Sequence, residues 1–370
     1  MTSVLLITSN GWGLGHLIRQ LAIANALPAE VRTTILTLSG GAAIAATENL
    51  EYAPSYSQPW ITRADWHGGY LRDRILALAS EVNPTHIVFD GVVPYLGLLD
   101  ALRQLPARKV WVRRGLWRAD ANPKPLRETK WFDLVIEPGD LGDALDIGPT
   151  KNRNDALKVG VITEANLATA HNREAAAAAL GVDPNKPTLL LNLGSSAIGD
   201  LQPLADVLQR FPEWQILSTK DELGRTKGFD ESRVIQLTGI FPLHPYLKAV
   251  DLAITSVGYN AAHEFVAMNV PAIYVAAPNV TDDQQARANA IAKLKAGWSA
   301  SPDAPEELAA LLNQILTGGA STLAAVQANC EIATAGFGDG AAAAASAILK
   351  SSAAAKPSFM MQSRLLLRLR

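Results

Sequence analysis

The stretch ITSNGWGLGHLIRQLAIANAL, residues 7–27, decides how the rest of the chain is read. Val4 to Thr8 is a short apolar run of the kind a buried strand shows, and from Leu17 to Leu27 apolar residues recur at helical spacing. Gly11, Gly13 and Gly15 fall between the two, with His16 directly after them. Glycines there are ordinary punctuation between strand and helix, because they accept positive φ and let the two pack closely. The position carries a second meaning. A glycine loop that leaves a first strand and enters a helix N-terminus is where open α/β sheets hold phosphates and nucleotides. The pattern here is G-x-G-x-G-H and not G-x-G-x-x-G, which disfavours a dinucleotide site.

The same alternation continues along the chain. Apolar runs at TTILTL (33–38), HIVFD (86–90), KVWVR (109–113) and LVIEP (134–138) extend a first half. A second half restarts at TLLLNLG (188–194) and runs through WQILST (214–219), VIQLTG (234–239), DLAITS (251–256) and PAIYVA (271–276). Short apolar strands separated by helical segments predict an α/β fold of two Rossmann-like domains with parallel sheets, their strand ends facing across a cleft. The expected division is 1–160 and 161–349, with an alanine-rich helix (341–349) closing the second domain, and 350–370 as a tail. After Asp339 there are five Lys or Arg and no acid. The tail reads equally as a disordered end, an appended end, or a basic segment in peripheral contact with a membrane.

Composition sets the bounds. With 370 residues, 48% hydrophobic and 18% charged, the chain can bury two sizeable cores. A net charge of −2 argues against nucleic acid as a partner. The single cysteine, Cys330, excludes an internal disulfide and suits a reducing compartment. No apolar run reaches the ~18 residues of a membrane-spanning helix, and no cleavable leader is recognisable. A cytoplasmic protein is expected.

The most informative stretch is AITSVGYNAAHEFVAMNVPAIYV, residues 253–275. A strand ends at Ser256, Gly258 makes the turn, and Asn260 opens a helix whose free N–H groups and dipole suit an anion. Glu264 lies one turn further on roughly the same face. The loop and helix start that follow are polar, with Asp282, Asp283, Gln284 and Gln285. Capping and solvation account for these residues too.

Together these residues resemble a known family. G-Y-N-A-A-H-E (258–264), with Pro271 seven residues after the glutamate, resembles the G-W-N-S-x-x-E…P signature of UDP-sugar-dependent glycosyltransferases. Asp283, Gln285 and Asn289 are similar to a D-x-Q-x-x-x-N stretch of MurG-like enzymes, and the opening glycine loop is similar to theirs. That loop is closer still to a G-x-G-H-x-x-R variant found in bacterial glycosyltransferases and in a UDP-sugar hydrolase. The resemblance implies the GT-B fold. It also implies that Gly13 and Gly15 form the first glycine loop, and that Gly194, Ser195 and Ser196 approach the diphosphate. The backbone of Ile240 and Phe241 would read the uracil, and Ser256, Gly258, Asn260 and Ala261 would hold phosphates. Glu264 would take the ribose, and Asp283, Gln284 and Gln285 the donor sugar. Plant-type relatives have a phosphate-binding histidine where this chain has Ser256. MurG-like enzymes have an interdomain arginine where it offers Thr163 or Glu164.

A glycosyl acceptor needs a general base as its hydroxyl attacks, and histidine suits neutral pH when a carboxylate fixes its tautomer. His16 and the strand-end Asp90 are the candidate pair. Asp90 resembles the aspartate that serves the catalytic histidine of plant-type enzymes. No Asp-X-Asp occurs, so no metal is expected, and charge on the leaving group would fall on helix N-termini. Residues 103–130 hold nine Lys or Arg against two acids, which reads as a solvated face or as an attractor for a phosphate-bearing acceptor. The reading is an inverting, metal-independent glycosyltransferase that uses a UDP-sugar as co-substrate, without a cofactor. Its acceptor is a small molecule or a lipid-linked one. The rivals are a UDP-sugar hydrolase, a 2-epimerase of the same fold, and a nucleotide-sugar-binding subunit without chemistry.

Overall fold

The computed structural model describes residues 2–9, 14–41, 50–193, 200–219 and 231–350. The first sheet comprises β1 (Ser3–Thr8), β2 (Arg32–Thr37), β3 (Glu51–Pro54), β4 (His86–Asp90), β5 (Arg108–Val112), β6 (Leu134–Pro138) and β7 (Leu157–Val159). Its order is β3-β2-β1-β4-β5-β6-β7, parallel throughout. The second comprises β8 (Thr188–Asn192), β9 (Gln215–Ser218), β10 (Val234–Gln236), β11 (Leu252–Ser256), β12 (Ala272–Val275) and β13 (Trp298–Ala300), in the order β10-β9-β8-β11-β12-β13. It too is parallel throughout. Helices α1 (Gly15–Asn25), α2 (Arg63–Gly68), α3 (Tyr70–Val82) and α4 (Leu96–Gln104) flank the first sheet. Helices α5 (Arg173–Leu180), α6 (Gln202–Gln209), α7 (Tyr259–Ala267), α8 (Gln284–Lys293) and α9 (Pro305–Thr334) belong with the second, and α10 (Gly340–Lys350) follows.

Strand β1 shows why its sequence is apolar without a break. Val4 and Leu6 face one layer with Leu17 and Leu21 of α1. Leu5 and Ile7 face the other with Ile75 of α3 and Leu98 of α4. A strand covered on both faces has no polar side to show. The same division separates Leu190 from Leu189 and Leu191 in β8. In each sheet the crossovers change direction at the centre, between β1 and β4 and between β8 and β11. That leaves a crevice at the carboxyl ends of those strands. Thr8 pairs with Asp90 across the first of them.

Two expectations are corrected here. The alanine-rich helix does not close the second domain. In α10, Ala341, Ala344, Ala345 and Ile348 pack with Val4, Leu6 and Leu21 in the core of the first. The chain crosses back beside its first crossing, with Val161 N–H donating to Phe337 O and Gly340 N–H to Val161 O. Glycine is required at both passages, because a Cβ on Gly160 would stand 2.2 Å from Phe337 O and one on Gly340 2.1 Å from Gly160 O. The other correction concerns apolar length. Helix α9 is long and apolar enough to cross a membrane by composition. It is kinked at Gly319 (φ 61°), and Leu308, Leu312, Ile315 and Leu323 bury themselves in the second domain's core.

Candidate active site

The first turn of α1 and the end of β4 meet at the first crevice, and His16 and Asp90 meet with them. His16 Nδ1 lies 2.6 Å from Asp90 Oδ1, although 74 positions separate the two. Arg19, one turn along α1, donates from Nε to Asp90 Oδ2 at 2.7 Å and from Nη2 to Oδ1 at 2.5 Å. Burial by itself raises the Asp90 carboxyl, but the Arg19 charge and the His16 hydrogen bond more than offset it and hold the group below its ordinary value. Two groups lie near His16 Nδ1, the Asp90 Oδ1 acceptor at 2.6 Å and the Arg19 Nη2 donor at 3.0 Å. An ionised carboxylate only accepts hydrogen bonds, so the shorter contact places the proton on Nδ1. Nε2 is then the basic atom, and it has no partner among the described residues. Burial lowers the His16 pKa below 6.5; Asp90 opposes this, while Arg19 and Arg114 add to it. Burial thus favours the uncharged imidazole.

Helix α7 stands opposite. Its first-turn N–H groups, on Tyr259, Asn260 and Ala261, have no intrahelical acceptor, and Gly258 leads into them from Ser256 at the end of β11. Asn260 Nδ2 reaches the first domain and donates to Gly15 O at 3.1 Å. Glu264 is half-buried without a hydrogen-bond partner among the described residues. Burial, and then the nearby Glu164 charge, push its carboxyl up to about 7. Ile240 and Phe241 follow β10, and their backbone groups make no hydrogen bonds among the described residues. Gly13, Gly194, Ser195, Ser196 and the tail from 351 lie outside the described residues.

The polar residues at the start of α8 are engaged locally. Asp283 caps α8 by accepting from Ala286 N–H, and Gln284 accepts from Ala277 N–H. Gln285 donates to Asn289 Oδ1 and Ser299 Oγ. Their neighbour Asp282 has a different task. It lies with Arg287, Asp140 and Arg114 in a buried network between the domains. Arg287, fully buried, holds Asp140 at 2.7 Å, Asp282 at 2.8 Å and Val257 O at 2.9 Å. Arg114 reaches Asp282 at 3.2 Å. Two backbone bonds join the same loops, Arg118 N–H to Thr281 O and Asp283 N–H to Leu116 O.

The basic segment 103–130 divides: Arg103, Arg118, Lys124, Arg127 and Lys130 are exposed, as a solvated face requires, whereas its other members turn inward. Arg113 is buried against Glu137 and Asp155, Arg114 is spent on Asp282, and Trp111 and Trp117 are core. Trp60 and Leu96 do stand exposed on the first domain. His263 is structural: Nδ1–H donates to Tyr259 O, Nε2 accepts from Leu141 N–H, and burial lowers it to about 4. Arg19 is the arginine of the G-x-G-H-x-x-R pattern, to which sequence reading assigned no role. Its signal was the i, i+3 spacing from His16 at the start of a helix.

Residues 218–342 match the model of the glycosyltransferase family 28 C-terminal domain. No curated protein matches the chain. Among solved structures the chain is similar to MurG from Acinetobacter baumannii, at 16% identity and TM-score 0.61 over 95% of this chain and 100% of that one. It is similar to the calicheamicin glycosyltransferase CalG4 at 17% and 0.60 over 96% and 100%. It is also similar to MnaA of S. aureus, solved with UDP, at 12% and 0.65 over 93% and 94%.

Proposed function

We propose that the chain, with its match to the family 28 C-terminal domain over residues 218–342 and a fold similar to MurG over its length, is a GT-B glycosyltransferase, inverting and metal-independent, that takes its sugar from UDP. The observation that carries this is His16 anchored on Asp90, its Nε2 without a partner among the described residues, on a helix whose Gly15 oxygen is bonded to Asn260 at the N-terminus of α7. Nε2 takes the proton of an acceptor hydroxyl as its oxygen attacks the anomeric carbon. The bond to UDP breaks on the opposite face, so a single displacement inverts the centre. The leaving diphosphate gathers charge where α7 offers backbone N–H groups and a helix dipole, which serves the purpose a cation would serve elsewhere. UDP as the nucleotide is supported by the UDP held in the S. aureus neighbour. A cytoplasmic site of action rests on the lone, buried Cys330.

Mass spectrometry of purified protein with UDP-sugars, with and without candidate acceptors, tests the reading. A new glycoside of inverted configuration, formed equally in EDTA, is the expected product. Free sugar formed at the same rate without acceptor would make the enzyme a hydrolase. Turnover abolished by EDTA and restored by Mg²⁺ or Mn²⁺ would remove the helix-dipole account.

Donor binding has its own test. UDP at a hundredfold excess over its Kd should stabilise the folded chain by about 2.7 kcal/mol, seen as a rise in Tm. Glu264→Ala should abolish most of that rise and leave the ligand-free Tm near the parent's, because Glu264 makes no bond within the described protein. An undiminished rise would free Glu264 from the ribose.

A further inference from the structure

We propose that Arg19 is a positioning residue that forks the Asp90 carboxylate and supplies its counter-charge, so that His16 stands uncharged beside it and ready to accept a proton. The inference rests on His16 being the base. Asp90 is 0% exposed and Arg19 2%, and both carboxylate oxygens are held by the one guanidinium, through Nε to Oδ2 and Nη2 to Oδ1. Such a planar two-point grip fixes a carboxylate in orientation as well as in place, which an ammonium does not. The charge count matters as much as the geometry. A buried carboxylate demands a cation. Here Arg19 meets the demand, and Asp90 has no need to draw a second proton onto His16. Were Arg19 absent, the nearest group able to become a cation would be the imidazole itself, bonded at 2.6 Å. The base would then be occupied before any acceptor arrived.

The groups that face His16 agree with this assignment. Asp90 comes from β4, Arg19 from the same helix, and Arg114 from the loop after β5, so two cations surround the pair against one anion. Arg19 is held in turn from the second domain. The Tyr259 ring lies 5.2 Å from its guanidinium carbon. The Tyr259 hydroxyl donates to Gly139 O and accepts from Ile162 N–H, both at 3.0 Å. The helix that presents its N-terminus to the diphosphate thus also supports the fork beneath the base.

Histidine NMR on the intact chain reads the proposal without any substrate. The six histidines are assigned with His16→Gln. In Arg19→Met the His16 titration should move upward. In Arg19→Lys, which keeps the charge and loses the fork, it should stay near the parent's. Turnover should fall about 10–100-fold in kcat in both variants, the scale of a misplaced catalytic group, with KM for the donor little changed. The acid limb of the rate profile should follow the NMR value upward in Arg19→Met alone. Should Arg19→Met fail to fold, Arg19→Met/Asp90→Asn removes both buried charges, and its His16 should titrate without the raising influence of a lone anion. A His16 titration indifferent to Arg19→Met, or one raised as far in the double variant, overturns the assignment. A raised titration in a protein whose His16→Ala variant keeps full turnover would overturn only the role of His16 as base.

Discussion

The His16→Ala enzyme is expected to turn over UDP-sugar about 10²–10⁴ times more slowly than the parent, the usual worth of a placed general base. It should bind UDP unchanged. Its imidazole bonds only within the first domain, and the bond that joins its loop to α7 runs from Asn260 to the backbone oxygen of Gly15. Asp90→Asn keeps the shape and removes the charge, so it should also lose turnover with UDP binding intact. Residues that act as one unit do not multiply their losses. The double variant should therefore be little worse than His16→Ala alone. In the parent the rate should fall with acid only below the ordinary histidine value, because burial lowers the pKa of His16. Stopped or steady-state kinetics with isothermal titration of UDP would decide. Independent, multiplying losses would separate the two residues, and near-normal turnover in His16→Ala would return that histidine to a helix-start role.

Arg287→Met should cost the fold about 3–5 kcal/mol at pH 7, the effect of leaving a buried charge uncompensated. Asp140 and Asp282 both lose a partner, and Asp140 keeps only the Gly142 N–H and the neutral His263 nearby. The pH dependence has a definite sign. Burial raises both carboxyls, but Arg287 and its neighbours hold them below their ordinary values. In the parent their contribution is therefore present above the unfolded carboxylate pKa and is lost as pH falls through the folded values. In Arg287→Met the carboxyls protonate earlier, so the gap between variant and parent should narrow as pH drops toward 4. Urea denaturation at several pH values would show this. A gap under about 1 kcal/mol at pH 7 would mean the network contributes specificity without stability.

The central strands were plain in the sequence because burial on both faces leaves an unbroken apolar run, as in VLLIT and HIVFD. Edge strands β3, β7 and β13 were not. They have three or four residues, and only Ala53 of them is buried. The pairing of His16 with Asp90 was legible because Asp90 ends a strand on the same rim of the sheet from which the His16 segment leaves β1. The sequence is silent on whether a charge is buried, so Arg113, Arg114 and Arg287 could not be told from surface residues. Nor could the destination of α10 be read. An alanine-rich helix has the same pattern whichever sheet it covers.

The two crossings between domains, bonded to each other at Val161, Phe337 and Gly340, make the second domain an insert within the first. Hybrid enzymes assembled by a single junction near residue 160 would take α10 from a foreign parent. The seat over Val4 and Leu6 that Ala345 and Ile348 fill would then be refilled by a mismatched helix. A hybrid that exchanges 161–339 as a cassette keeps the native helix on its native sheet. Recombination of donor choice with acceptor choice in this architecture thus needs two cuts, and the fold places them one hydrogen bond apart.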